Sequence, residues 1–225
     1  MFGYNGQSLV SSSSRWTPRR IGMAGLAAIA GALVLLVHVT YGTALQLQGV
    51  VPGYETIGSS AYYLSEGVLF LAWAGMFLGF AALRARMVGL ESRLWDVGSA
   101  LAAIGAALAT IGFFVVTVVP AIGAMGIVDP GNMVIGLGLM VAITIGTFLM
   151  GVSLLRTGAM ARSVAALFLL VLPTTLVAGP VGEALGVGPV IGLITFLPFI
   201  AAVIAVGRWL RREPRATIPD ADPSA

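Results

Sequence analysis

Two ionisable side chains, His38 and Glu66, stand inside runs of apolar residues, where ionisation is expensive. An acid or an imidazole at such a position marks a functional site by default. His38 sits towards the far end of the first apolar run and Glu66 near the start of the second. If the two runs form a hairpin, the pair reaches similar depth. A His–Glu hydrogen bond there would shift both groups and could carry a proton. Tyr41 follows His38 on nearly the same helix face, and Tyr62 and Tyr63 precede Glu66 by one turn. The same residues also have a purely structural reading, in which Glu66 snorkels to water and His38 is a hydrogen-bonded packing residue.

A third acid, Glu183, belongs to the stretch Pro180–Pro189, which is unusually apolar and glycine-rich for an aqueous connection. Either the stretch dips back into the membrane, bringing Glu183 to an outward-facing vestibule with His38 and Glu66, or it is a short interfacial turn. Pro173 and Pro198 interrupt the two shortest apolar runs, with Thr174, Thr175 and Thr195 close by. As helix breaks they would expose carbonyls that bind cations or polar substrates. As kinks in structural helices they would be re-satisfied by the neighbouring hydroxyls.

The residues that are missing exclude more than those present suggest. There is no cysteine, which removes disulfides, thiolate metal sites and cysteine nucleophiles. All twelve basic residues are arginine, so neither a lysine Schiff base nor a P-loop can be built. His38 is the one histidine, which excludes bis-histidine haem, and no motif singles out a serine it could activate. Glu66 is the one acid well inside a span, so a di-carboxylate protease or metal site lacks its second group. The reading is a non-enzyme with no cofactor and no metal.

The elements that must position these residues follow from composition. The chain has 225 residues, of which 58% are hydrophobic and only 9% charged. A soluble domain carries about a quarter charged residues. Too little charge remains to cover a water-facing surface, and the apolar content is too high for disorder. Six continuous apolar stretches approach the ~20 residues that cross a bilayer. They run over residues 21–42, 61–83, 97–119, 133–155, 163–179 and 190–206. Continuous rather than alternating hydrophobicity makes them helices and not barrel strands. Residues 1–20 and 209–225 read as disordered cytoplasmic tails flanking a six-helix bundle over 21–208. The first run is too long for a signal peptide and reads as a retained anchor.

Arginine placement sets the direction. Arg15, Arg19 and Arg20 precede the first span; Arg84, Arg86 and Arg93 lie between the second and third. Arg156 and Arg162 separate the fourth from the fifth, and Arg208, Arg211, Arg212 and Arg215 close the sixth. All fall on one side, so both termini are expected in the cytoplasm. The net charge of +3 therefore records orientation and does not imply a nucleic-acid partner. Thirty glycines allow close helix packing; Gly75 and Gly79 make a GxxxG whose expected use is inside a compact bundle. Exclusive arginine with heavy Ala, Gly and Val usage points to a GC-rich prokaryotic genome.

The expected fold is an all-α polytopic membrane bundle with six transmembrane helices, N and C termini cytoplasmic. The expected function is a small transporter or permeability protein with an outward-facing polar site formed by His38, Glu66, Tyr41 and Glu183. The alternative is a non-catalytic membrane subunit or lipid-organising protein. Its partners are the lipid bilayer and either further copies of itself or another membrane protein.

Overall fold

Polar residues just before the apolar runs start the helices. The Thr17 hydroxyl accepts from the Arg20 amide, Ser59 from Tyr62 and Ser92 from Trp95, satisfying amides that have no partner within the first turn. In the computed structural model, which describes residues 16–50, 59–90, 92–122 and 128–212, these caps open α1 (Pro18–Leu47), α2 (Ser60–Arg86) and α3 (Arg93–Ala121). A fourth rod runs from Val128 to Thr157 as α4 (Val128–Gly136), a π segment (Leu137–Ile143) and α5 (Thr144–Thr157). The chain continues through α6 (Arg162–Leu185) and α7 (Gly188–Arg211).

Each apolar stretch read from the sequence lies within one of these rods, and no strand occurs among the described residues. Five rods are long and apolar enough to cross a bilayer; within α6 the continuous apolar helix covers Arg162–Val177. Two boundaries differ from expectation. Pro18–Arg20 and Trp209–Arg211, assigned to the tails, are helical because α1 is capped at Thr17 and α7 is capped by Arg86. Residues 1–15 and 213–225 of the two tails lie outside the described residues.

Consecutive rods run antiparallel. Gly25 at the start of α1 meets Gly207 near the end of α7, Ser92 before α3 bonds Ser153 of α5 at 2.8 Å, and Gly151 of α5 packs on Ala165 of α6. Every described arginine therefore lies at the same end of the bundle. There Arg86 of α2 spans to α7, donating to the carbonyls of Trp209, Leu210 and Arg212 at 3.0, 2.8 and 2.8 Å. Its guanidinium stacks 4.2 Å from the Trp209 ring centre. A forked cation at a helix C-terminus satisfies orphan carbonyls and complements the dipole.

Large aliphatics are exposed at seven-residue spacing: Leu64, Leu71 and Leu78 on α2, and Val97, Ile104 and Ile111 on α3. The inner face of α2 is built of Leu69, Trp73, Met76 and Leu83, whereas that of α3 is mostly glycine and alanine. Inward, α3 presents Gly98, Gly105 and Gly112 to Gly146, Gly138 and Gly131 of the fourth rod. The pairs are reciprocal. A methyl group on Gly105 would sit 2.7 Å from the Gly138 carbonyl oxygen, and one on Gly138 would sit 2.7 Å from that of Gly105. Gly75 and Gly79 likewise abut Ala27, Ala28 and Ala24 of α1, so the GxxxG is used inside the chain.

Gly105→Ala should therefore cost about 1–3 kcal/mol, because its Cβ meets backbone that cannot move independently. Gly22→Ala, where a Cβ meets nothing within 4 Å, should be neutral or gain about 0.5–1 kcal/mol from helix entropy. Unfolding of both variants in detergent measures this; equal stabilities would refute backbone-limited packing at Gly105.

Candidate functional site

Among the described residues, no hydrogen bond joins His38 to Glu66. His38 and Ser65 approach across the α1–α2 interface, with imidazole Nδ1 3.4 Å from the serine Oγ. Ser65 is the neighbour of Glu66, and adjacent helical residues point about 100° apart. Glu66 lies one turn from Tyr62, whose hydroxyl donates to the Val116 carbonyl at 3.3 Å. It also lies one turn from Phe70, whose ring centre is 5.7 Å from that of Phe114. Both contacts are with α3, so Glu66 is on the α3 side of α2 while His38 engages the α1 side. Tyr41 is 63% exposed on the outer surface of α1. The side chain of Glu183 lies outside the described residues.

The Pro180–Pro189 stretch, read as a connection, instead completes α6 and begins α7. Helix α6 continues through Pro180 to Leu185 and stops at Gly186, whose φ is +66°. The Val187 amide bonds back to the Gly182 carbonyl at 3.1 Å. A left-handed glycine with this back-bond is a Schellman end, which reverses the chain in a few residues. The helices also run through Pro173 and Pro198. Near Pro173 the Thr174 hydroxyl bonds the Leu170 and Val171 carbonyls, and that of Thr175 bonds Val171; near Pro198, Thr195 bonds Ile191.

A large concavity lies elsewhere. A cavity of about 640 Å³ opens between the fourth rod, α6 and α7, from mid-bundle to the arginine-free end. Such a volume is in the range of small-molecule sites. Leu139, Met140 and Ile143 form one wall, Val171 and Gly182 the second, Gly192 and Phe196 the third. Trp73 of α2 closes the inner end, stacked on Phe199 with ring centres 5.7 Å apart and planes at 24°. No charged residue is among the described lining residues, and neither His38 nor Glu66 borders it.

One extra residue in the fourth rod explains the cavity wall. On α3 the inward glycines are spaced seven and seven; on the fourth rod Gly131, Gly138 and Gly146 are spaced seven and eight. Seven residues return to the same helix face, whereas an eighth would rotate Gly146 away from Gly98. The π segment falls in the eight-residue interval and absorbs the surplus. There the Thr144 amide bonds the Leu139 carbonyl five residues back, and the Thr144 hydroxyl reinforces it at 2.9 Å. The consequence is lateral. Helix α6 packs along α5 but makes no extended contact with α4 or the π segment, so the rods part towards the arginine-free end. The cavity occupies that gap.

No family model, curated protein or solved structure matches this chain.

The sequence reading missed Trp73, Phe196, Phe199 and the π wall, none of which carries charge. The spacing mismatch between the two glycine series was the available signal.

Deleting Val141 should convert the π segment to regular helix while keeping all three glycine pairs, costing no more than about 1 kcal/mol. Deleting Ile111, between Gly105 and Gly112, shifts a register with no surplus to lose and should cost several-fold more. Both residues are exposed. Equal destabilisation by the two deletions would show that the π segment is not a one-residue insertion.

Proposed function

We propose that this chain is a six-span integral membrane protein with both termini cytoplasmic, and that it binds the apolar chain of a lipid in the cavity between the fourth rod, α6 and α7. One observation carries the reading: a cavity of about 640 Å³, with no charged group among its described lining residues, lies where α6 parts from the π segment. A cavity of this kind in water would be an unfavourable apolar patch; in a bilayer the neighbouring acyl chains reach it without desolvating a headgroup. Its polar groups are largely committed. The hydroxyls of Thr144, Thr175 and Thr195 donate to carbonyls of their own helices at 2.9, 2.7 and 2.9 Å. None of the described lining residues would hold a hydrated ion.

The reading favours lipid binding or lipid organisation over proton-linked flux. His38 is engaged with Ser65, and neither it nor Glu66 faces the cavity. The six-span count adds α6 to the five longer rods. In support, its apolar part is continued by the turns over Ala178–Leu185, and arginines recur at the same end of every rod. That recurrence supports a cytoplasmic arginine end.

Orientation is testable without removing native cysteines, because there are none. Thr157→Cys and Asp129→Cys lie at exposed positions at opposite ends of the fourth rod. In intact cells a membrane-impermeant maleimide should label the cysteine at 129 and not the one at 157. The opposite pattern would invert the topology, and labelling of both would exclude the span.

Occupancy is readable from Trp73. Phospholipids brominated at mid-chain should quench a fluorescence component that Trp73→Phe removes. The double variant Gly136→Leu/Gly192→Leu should remove most of that quenching. A Cβ at either glycine meets nothing within 4 Å, so the added side chains enter free space beside or within the cavity. Quenching unchanged by the double variant would mean that no acyl chain enters.

A further inference from the structure

The cavity's inner end offers more than apolar surface. Trp73 is 1% exposed and its indole N–H donates to no described residue. Among the described residues no side-chain nitrogen or oxygen is both fully buried and without a partner. The small accessible area left to Trp73 therefore includes the N–H, and the cavity is the space that Trp73 borders. The ring cannot readily turn aside, because it is stacked on Phe199 and packed in the core. The other polar side chains of the lining, Thr144, Thr175 and Thr195, have already given their protons to helix carbonyls. Among the described lining residues Trp73 thus supplies the one uncommitted side-chain donor, at the closed end, midway along α2.

We propose that Trp73 is a specificity residue and that the preferred occupant is an uncharged, lipid-soluble carbonyl compound whose oxygen accepts the indole N–H. The proposal rests on the cavity being a site for apolar molecules and specifies which ones. A saturated acyl end leaves the donor unpaired in an apolar setting, which costs a large part of a hydrogen bond. A phospholipid's own ester oxygens are held at the interface by its headgroup, far from mid-span. A molecule with no charged headgroup can carry a carbonyl to that depth. A flat carbonyl-bearing ring gains in addition from Phe196 and Phe199 beside the indole, through offset or edge contacts.

The test compares 2-methyl-1,4-naphthoquinone with 2-methylnaphthalene, which has the same skeleton and no oxygen. The full chain in liposomes is dialysed against protein-free liposomes of the same lipid, and the excess of each probe is measured. With no cysteine in the chain, the quinone has no thiol to form an adduct with. Wild type should hold the quinone about tenfold more tightly than the hydrocarbon. Trp73→Phe keeps an aromatic ring against Phe199 and should bring the two probes to parity by weakening the quinone alone. Equal binding of both probes to wild type, with both displaced by Gly136→Leu/Gly192→Leu, would overturn the carbonyl proposal and leave the cavity reading standing. No excess of either probe would overturn both. Should Trp73→Phe fail to fold, the wild-type preference decides by itself: tenfold supports the proposal, parity ends it.

Discussion

Close approach of helix backbones at paired glycines is the constraint from which the rest of this structure follows. Between helices in lipid there is no gain from removing apolar surface from water, so association relies on dispersion contacts made at short range. On α3, Gly98, Gly105 and Gly112 bring the fourth rod so near that a single methyl group would collide with its backbone. Gly25 against Gly207 and Gly31 against the Ala72 carbonyl do the same for α1 with α7 and α2. On α3, where glycine and alanine occupy most of the inner face, Val97, Ile104 and Ile111 lie on the outer one. The outward ladder of α3 is thus the complement of its glycine ladder.

The constraint also dictates where regular helix must give way. Two ladders of equal pitch can be matched only if the spacings agree, and the fourth rod carries one residue more than α3 between its second and third contacts. Retaining the contact of Gly98 with Gly146 requires a π segment. A wider turn moves Leu139 and Met140 out of line with α5, and α6, which follows α5, does not follow the rod beyond it. The cavity is the geometric remainder of satisfying three glycine pairs with unequal spacing. π segments recur at functional sites for this reason: the insertion is retained where a regular helix would fill the space.

Much of the helical layout was legible in the sequence, because continuous hydrophobicity and capping residues are local signals. The apolar stretches fall inside the rods, and Thr17, Ser59 and Ser92 mark starts by their chemistry. The stretch from Pro180 to Pro189 was misread because glycine and proline suggest a loop. Here Pro180 lies inside a helix and Gly186 supplies the left-handed turn that ends it. The cavity was not legible for a different reason. Charge and imidazole were the signals followed, and a lipid-facing site is made from residues that look like packing. Trp73 differs from Trp95, an equally buried core indole, in bordering the cavity, a property of three-dimensional surroundings.

The separation of the polar pair from the cavity has its own physical logic. His38 and Ser65 lie towards the arginine-free end of α1 and α2, where an imidazole can be hydrogen-bonded to a neighbour with water near. The cavity's closed end is midway along the bundle, where an ionised group would carry the full cost of transfer into hydrocarbon. A donor placed there must be neutral at every pH and able to pack as a hydrophobe when nothing is bound. An indole meets both conditions, since its proton is not exchanged for charge and its ring fills the core against Phe199. A threonine at that depth would satisfy itself on its own helix, as Thr144, Thr175 and Thr195 do. Tryptophan cannot bond its own backbone in that way, so its donor stays available to whatever enters.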